Sequence, residues 1–330
     1  RRVNSILVSQ KLMKKVLIIE KIHKSGIKLI ENRDDFSYEV VENLEINFLK
    51  NKLKDCDAVC LRVFKFNKEL IEVATKLKII SRHGVGYDNV DIETVKKKNI
   101  TLAITAKANA SSVAEHVFFM MLSISRGIDI YDKCVREGNF SKRNDLQLTK
   151  ELWNKNILIA GFGRTGKNLI KKCIGFDMNV FVYDPYVHRK IIDDLGGKKI
   201  DDFTKIIKEM DYVSLHMPLT NETKNLIDLK ILSSMKKNAI IINTSRGDII
   251  NEKDLNDALN KNMISGAGLD VFAKEPPNAN NPLLKNKKVF LSPHASTFTE
   301  ECTERMGIET IQNIIDFFDR NLDKAMIVKL

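Results

Sequence analysis

Ile157-Leu158-Ile159-Ala160-Gly161-Phe162-Gly163-Arg164-Thr165-Gly166 decides the reading of this chain, because an apolar run enters a G-x-G-x-x-G turn and a helical-period segment leaves it. Gly161 permits the tight turn, Gly163 lets the backbone approach a pyrophosphate, and Gly166 lets helix and strand pack closely. Unpaired N–H groups at the start of the following helix would then face the phosphates. The motif alone is a weak signal, but its context strengthens it. The next strand, Val180 to Tyr183, ends in Asp184, about 20 residues on, where a carboxylate accepts hydrogen bonds from adenine ribose hydroxyls. Asp184 would repel a ribose phosphate, so NAD is expected in preference to NADP. Arg189 nearby keeps NADP open.

The same alternation of apolar runs and helical periods extends to both sides. Downstream, strands are expected at Asn156–Ala160, Asn179–Tyr183, Tyr212–Leu215, Ala239–Ile242, Ser265–Leu269 and Lys288–Leu291, with helices between them. Six such strands make one doubly wound α/β domain. Upstream, from Lys15, the runs Val16–Ile19, Asp57–Leu61 and Ile79–Ile80 predict a second parallel α/β layer. A helix from Asn109 to about Ile130 is expected to connect the two, with Ser111 or Ser112 as N-cap and Glu115 in the capping-box position for Ser112. An amphipathic helix from about Glu300 to Phe318 would return to the first domain. The expected division is residues 1–107 with 295–330 as one domain, for substrate, and 108–294 as the other, for the dinucleotide.

Length and composition agree with two folded domains. At 330 residues the chain exceeds what a single core comfortably supports, and 43% hydrophobic with 29% charged residues excludes a disordered or fibrous protein. The formal charge of +11 admits nucleic acid, an anionic membrane or small anionic molecules as partners. Lysines are scattered, the longest run is Lys96-Lys97-Lys98, and no basic block is interleaved with aromatics, so no nucleic-acid partner is expected. Cys56, Cys60, Cys134, Cys173 and Cys302 lack metal-ligand spacing and read as reduced thiols of a cytoplasmic protein without a bound metal. The apolar stretch Val117–Ile124 falls far short of the roughly 20 residues that span a bilayer, so no membrane segment is expected. Residues before Met13 read as a leader or an artificially appended segment, with Ile6-Leu7-Val8 too short for a signal-peptide core.

Polar residues cluster at the ends of the expected strands, where an open α/β sheet forms its ligand crevice. They are His216-Met217-Pro218, Asn243-Thr244-Ser245-Arg246-Gly247-Asp248, Asp270-Val271-Phe272 leading to Glu275-Pro276-Pro277, and Ser292-Pro293-His294-Ala295-Ser296. Singly, each has an ordinary explanation: a surface histidine, a solvated arginine, a turn. Together they bring a cation, a carboxylate and an imidazole to successive strand ends, which is what carbonyl reduction requires.

This ordered set, preceded by Arg82-His83-Gly84-Val85-Gly86-Tyr87-Asp88-Asn89 and Asn109-Ala110-Ser111-Ser112-Val113-Ala114-Glu115-His116, resembles the D-isomer-specific 2-hydroxyacid dehydrogenase family from about Lys15 to the C-terminus. The resemblance implies two Rossmann-like doubly wound parallel-sheet domains, the substrate domain flavodoxin-like and discontinuous. It implies NAD as cofactor, a small anionic 2-hydroxy or 2-keto acid as substrate, and a homodimer in which Arg126 and the stretch Tyr131–Glu151 reach a second subunit. By the same resemblance the catalytic residues are Arg246, Glu275 and His294. His294 would give its proton to the carbonyl oxygen as hydride leaves the nicotinamide, Glu275 would favour its imidazolium, and Arg246 would grip the substrate carboxylate and carbonyl.

Further expectations concern binding. Arg164 and Thr165 resemble pyrophosphate contacts, Asp270 the contact to the nicotinamide carboxamide, and His216, Pro218, Thr244 and Ser245 lie on cofactor-side loops. The substrate carboxylate would meet N–H groups of the Gly84-Val85-Gly86 loop. Arg62 and Arg82 match positions where some members hold a phosphate, so 3-phosphoglycerate and its keto form lead, with hydroxypyruvate, glyoxylate or another 2-keto acid open. An end at Leu330 leaves no room for the C-terminal regulatory domains of longer members. A second class also stays open, since some relatives are dinucleotide-sensing corepressors that bind peptides; the Arg246, Glu275 and His294 set argues for catalysis.

Overall fold

Val16, Leu17, Ile18 and Ile19 are each 3% exposed or less, which requires a strand covered on both faces. The structure, a computed structural model, describes residues 13–330, and the leader expected before Met13 lies outside the described residues. Strands β1 (Lys14–Ile19), β2 (Phe36–Val41), β3 (Ala58–Leu61), β4 (Ile79–Arg82) and β5 (Thr101–Ile104) form a parallel sheet in the order β2-β1-β3-β4-β5. Helices α1 (Lys24–Glu31), α2 (Ile46–Leu53), α3 (Lys68–Val73) and α4 (Ile92–Lys97) make the crossovers. Three of them start where side chains cap them, His23 on Ser25 N, Asn67 on Leu70 N and Asp91 on Thr94 N.

A second parallel sheet comprises β6 (Asn156–Ala160), β7 (Asn179–Tyr183), β8 (Lys198–Ile200), β9 (Tyr212–Leu215), β10 (Ile240–Asn243), β11 (Gly266–Leu269) and β12 (Val289–Leu291). Its order is β12-β11-β10-β9-β6-β7-β8, so the order in which strands are added reverses between β6 and β9. Helices α5 (Ala110–Arg126), α6 (Ile128–Arg136), α7 (Arg164–Gly175), α8 (Arg189–Asp193), α9 (Leu229–Ser234) and α10 (Glu252–Asn260) accompany it. Seven strands stand where six were expected. The extra one, β8, reads Lys-Lys-Ile and lies on the sheet edge, where charge replaces the apolar run that marks an inner strand.

The long helix expected over Asn109 to about Ile130 is two helices. Gly127, at φ 55, ends α5 and opens α6, a left-handed conformation that glycine adopts without strain. Neither Ser111 nor Ser112 caps α5, because both lie inside it: Ser111 Oγ bonds the Glu115 carboxylate at 3.1 Å, and Ser112 Oγ donates to Ser296 O at 2.7 Å. Rather than bridging, α5 packs Ala114, Val117, Phe118, Met120 and Met121 into the core of the second sheet.

The chain divides into two units, one holding the sequence up to Asn109 together with Phe298–Leu330, the other Ala110–Thr297. The return to the first unit is made by α11 (Glu300–Phe318), whose Ile311, Ile314 and Ile315 pack on Ala58, Cys60 and Ile79. The crossing of α1 and α11 is so close that a Cβ on Gly26 would lie 2.3 Å from Gly307 O. The second unit ends past the expected 294 because Ala295 and Ser296 are bonded to Asp270. All five cysteines are buried and unbridged, and among the described residues no helix is long and apolar enough to cross a membrane.

Candidate active site

At the end of β6, Gly161 turns at φ 97, and a Cβ there would lie 2.6 Å from both the carbonyl carbon and oxygen of His216. The contact follows from register: Ala160 faces Leu215, so the residues after β6 and β9 meet where the sheet order reverses. A Cβ on Gly166 would lie 2.5 Å from Gly161 O, whereas Gly163 has no atom within 4 Å of its Cβ position. Gly163 is also the N-cap of α7 and supplies no capping side chain, which leaves the first N–H groups of that helix for an anion. Arg164 and Thr165 form its first turn.

Asp184 Oδ2 accepts from Phe162 N at 2.7 Å and Oδ1 from Tyr186 N at 2.9 Å, which fixes the carboxylate beside the turn. Each carboxylate oxygen keeps a lone pair for ribose. Arg189 points its Nη2 to Asp201, 3.3 Å away. His216 bonds Ser214 Oγ through Nε2 at 2.7 Å, and burial pushes its imidazole down to about 4, so it is neutral. Thr244 Oγ1 is buried with no hydrogen-bond partner. Open space over Gly163, an uncapped helix start and an orphaned hydroxyl fit a dinucleotide.

The chemical groups are set on neighbouring strand ends. Asn243, after which β10 ends, donates from Nδ2 to Arg246 O at 2.8 Å and accepts from Ser245 N and Oγ, so it wraps the loop that presents Arg246. A Cβ on Gly247 would lie 1.9 Å from the carbonyl carbon of Phe272. That approach seats the Arg246 loop against the segment leading to Glu275. Glu275 Oε1 accepts from Phe272 N at 3.1 Å, and Oε2 lies 2.7 Å from His294 Nδ1. Burial raises the Glu275 pKa, but the hydrogen bond and charge of His294, the Phe272 N–H and the charge of Arg246 outweigh it and hold the carboxyl below its ordinary value. An ionised carboxylate only accepts, so His294 carries hydrogen on Nδ1.

His294 has φ 51 and needs its main chain held. Asp270 does this: its carbonyl accepts from His294 N at 2.8 Å, Oδ1 from Ala295 N at 2.7 Å and Oδ2 from Ser296 N at 3.1 Å. Asp270 is 0% exposed, because the pairing of Leu269 with Leu291 sets it beside the 292–296 turn, and it acts on the site through that turn.

In the first unit, the order in which strands are added reverses between β1 and β3, and Arg62 follows β3 there. Its Nη1 donates to Lys21 O at 2.8 Å, while Glu20 Oε2 accepts from Val63 N and Phe64 N. Arg82 ends β4, donating from Nε to Asn89 Oδ1 at 3.1 Å and from Nη1 to His83 O. Burial, then the charges of Arg62 and Arg82, push His83 down to about 3 and keep it neutral between them. Val85 and Gly86 follow on a partly exposed loop.

Residues 118–296 match the family described as "D-isomer specific 2-hydroxyacid dehydrogenase, NAD binding domain". The chain is 38% identical over 324 residues to a glyoxylate reductase of Thermococcus litoralis, covering 96% of this chain and 97% of that one. The chain belongs to the D-isomer specific 2-hydroxyacid dehydrogenase family. A D-3-phosphoglycerate dehydrogenase of Methanocaldococcus jannaschii is 36% identical over 303 residues, and these span 92% of this chain but only 57% of that relative. A D-lactate dehydrogenase of Aquifex aeolicus, solved with NAD and lactic acid, superposes with a TM-score of 0.83 at 28% identity, over 95% of this chain and 98% of that one.

Among the residues that the sequence left without a role, Gly247 and Ser292 stand out. Gly247 allows a backbone contact between chain segments far apart in sequence, and its only signal is a glycine directly after Arg246. Ser292, two residues before His294, accepts or donates to His116 Nε2 at 2.8 Å and bonds Asp270 Oδ1. Among the described residues, no group of His, Cys, Asp and Glu side chains could hold a metal ion.

Proposed function

We propose that the chain is an NAD-dependent enzyme interconverting a D-2-hydroxy acid and its 2-keto acid. The observation that carries this reading is the 2.7 Å contact between His294 Nδ1 and Glu275 Oε2, in the unit whose Gly161–Gly166 turn fits a dinucleotide. Gly161, Gly163, Arg164, Thr165 and Gly166 would hold the pyrophosphate, Asp184 the ribose, and His216, Pro218, Thr244 and Ser245 the loops around the reactive half. When bound, the reduced cofactor supplies hydride to C2 of the keto acid. His294 gives the proton on Nε2 to the carbonyl oxygen during reduction and takes it back from the hydroxyl during oxidation. Glu275 stabilises the imidazolium, and Arg246 orients the substrate carboxylate with its planar donors. NAD is preferred to NADP because Asp184 is fixed beside the turn while Arg189 is turned to Asp201.

The preferred substrate on this reading is 3-phosphohydroxypyruvate with its partner 3-phosphoglycerate, as in serine biosynthesis. Support comes from Arg62 and Arg82 at adjacent strand ends, with Val85 and Gly86 offering N–H groups nearby in sequence. Glyoxylate or hydroxypyruvate is the second reading, favoured by similarity to glyoxylate reductases along nearly their whole length. Arg62→Ala separates the two. It is expected to raise KM for 3-phosphohydroxypyruvate by about tenfold or more, the worth of one charge-assisted hydrogen bond, and to leave KM for hydroxypyruvate within about twofold. Equal effects in steady-state kinetics would remove the phosphate site.

The partner proposed is a second copy of this chain. Ile130 and Val135 on α6 are each 58% exposed, Phe140 is 59% and Leu148 is 90% exposed, an apolar series that an isolated subunit leaves in water. Light scattering on the purified chain should give twice the mass of one subunit, and a monomer at micromolar concentration would contradict the dimer. Free thiols such as the five buried cysteines are kept reduced in the cytoplasm, where this reading places the enzyme.

A further inference from the structure

Helix α5 holds the turn that carries His294 at both ends. Ser112 and His116 are one turn apart on the same face of the helix. Ser112 Oγ donates to Ser296 O at 2.7 Å, and His116 Nε2 lies 2.8 Å from Ser292 Oγ, so the two contacts bracket His294 in the chain. Ser292 Oγ also donates to Asp270 Oδ1. A hydroxyl has a single hydrogen. Once it is directed to Asp270, Ser292 can only accept from His116, which must therefore carry hydrogen on Nε2. The direction of the whole chain is set: His116 Nε2–H to Ser292 Oγ–H to Asp270 Oδ1, with Ala295 N and Ser296 N donating to the same carboxylate.

We propose that His116 is a positioning residue for His294, acting through Ser292 and Asp270. It touches neither His294 nor Glu275. Its donor aims the Ser292 hydroxyl, the hydroxyl anchors one oxygen of a carboxylate that is 0% exposed, and that carboxylate holds the main chain on which His294 keeps φ 51. Burial lowers the His116 pKa against the opposing pull of Asp270, so the ring serves as a neutral donor. The expected effect on turnover rests on the dehydrogenase reading, whereas the effect on the turn does not.

The test compares His116→Leu, His116→Gln, Ser292→Ala and Ser292→Thr in the full chain by three readouts: kcat with a 2-keto acid, Kd for NADH from protein fluorescence, and amide hydrogen exchange at Ala295 and Ser296. His116→Leu is expected to lower kcat by about 10- to 100-fold, keep Kd for NADH within about threefold and speed exchange at both amides. His116→Gln, which still offers an N–H, should recover most of kcat and of the protection. Combining His116→Leu with Ser292→Ala should cost no more than the worse single change, since both cut one chain. Wild-type exchange and kcat in His116→Leu, or single effects that multiply, would overturn the proposal. Should His116→Leu fail to fold, fast exchange in Ser292→Ala with recovery in Ser292→Thr supports it, and unchanged exchange overturns it. A wild-type chain that reduces no 2-keto acid would sink the dehydrogenase reading alone, and exchange at Ala295 and Ser296 would still decide the role of His116.

Discussion

Replacing His294 by alanine is expected to lower kcat by about 10²- to 10⁴-fold while Kd for NADH stays within a few-fold of wild type. On the proposed mechanism the imidazole gives and takes the proton of the substrate oxygen. Glu275 Oε2 holds its Nδ1 at 2.7 Å, which leaves Nε2 for the proposed proton transfer. No residue described at the His294 turn can replace that proton, because the neighbouring acid, Asp270, is wholly buried and bonded to the turn. The proposed dinucleotide site lies elsewhere, at the Gly161–Gly166 turn and Asp184, so binding of NADH should survive. Pre-steady-state and equilibrium titration with NADH separate the two effects. Retained turnover would remove His294 from the chemistry.

Gly247→Ala is expected to be the most damaging single methyl in the second unit, lowering stability by about 3 kcal/mol or more. A Cβ there would lie 1.9 Å from Phe272 C and 2.2 Å from Ala273 N, and these atoms are backbone, which cannot rotate away as a flexible side chain can. Relief requires the 246–248 loop and the 272–275 segment to part. Since the first carries Arg246 and the second Glu275, whatever folds should also lose turnover. Gly163→Ala is the control, because nothing lies within 4 Å of its Cβ position and stability without cofactor should be unchanged. Urea unfolding monitored at the lone tryptophan, Trp153, measures both. A wild-type midpoint for Gly247→Ala would show that the two segments can separate without cost.

The glycine turn and Asp184 were legible in the sequence because their spacing is dictated by local geometry: a strand, a turn and a helix within one βαβ unit. The same holds for the strands Ile240–Asn243 and Gly266–Leu269, whose apolar runs reflect burial on both faces and were displaced by only one residue. Lys198–Ile200 was not legible, since an edge strand needs no apolar run. The start of α5 lies within one residue of the expected Asn109, but its cap was not legible, because Ser112 resembles a cap in sequence whereas its hydroxyl reaches Ser296, 184 positions away. Relations of that kind depend on register between strands distant in the chain. They include Gly161 against His216, Gly247 against Phe272, and Asp270 against Ala295 and Ser296, and no local pattern encodes them. Parallel pairing and the preference for short right-handed connections narrow the sheet orders open to these elements to a few.

The most direct test is the loss of reduced-nicotinamide absorbance when the purified chain, with NADH, meets a panel of 2-keto acids including glyoxylate, hydroxypyruvate and 3-phosphohydroxypyruvate. Turnover of at least one of them to the D-2-hydroxy acid, abolished in His294→Ala, is the expected result. An absence of turnover across the panel, together with NADH-dependent binding of a peptide, would contradict an enzyme and point to a dinucleotide-sensing binding protein.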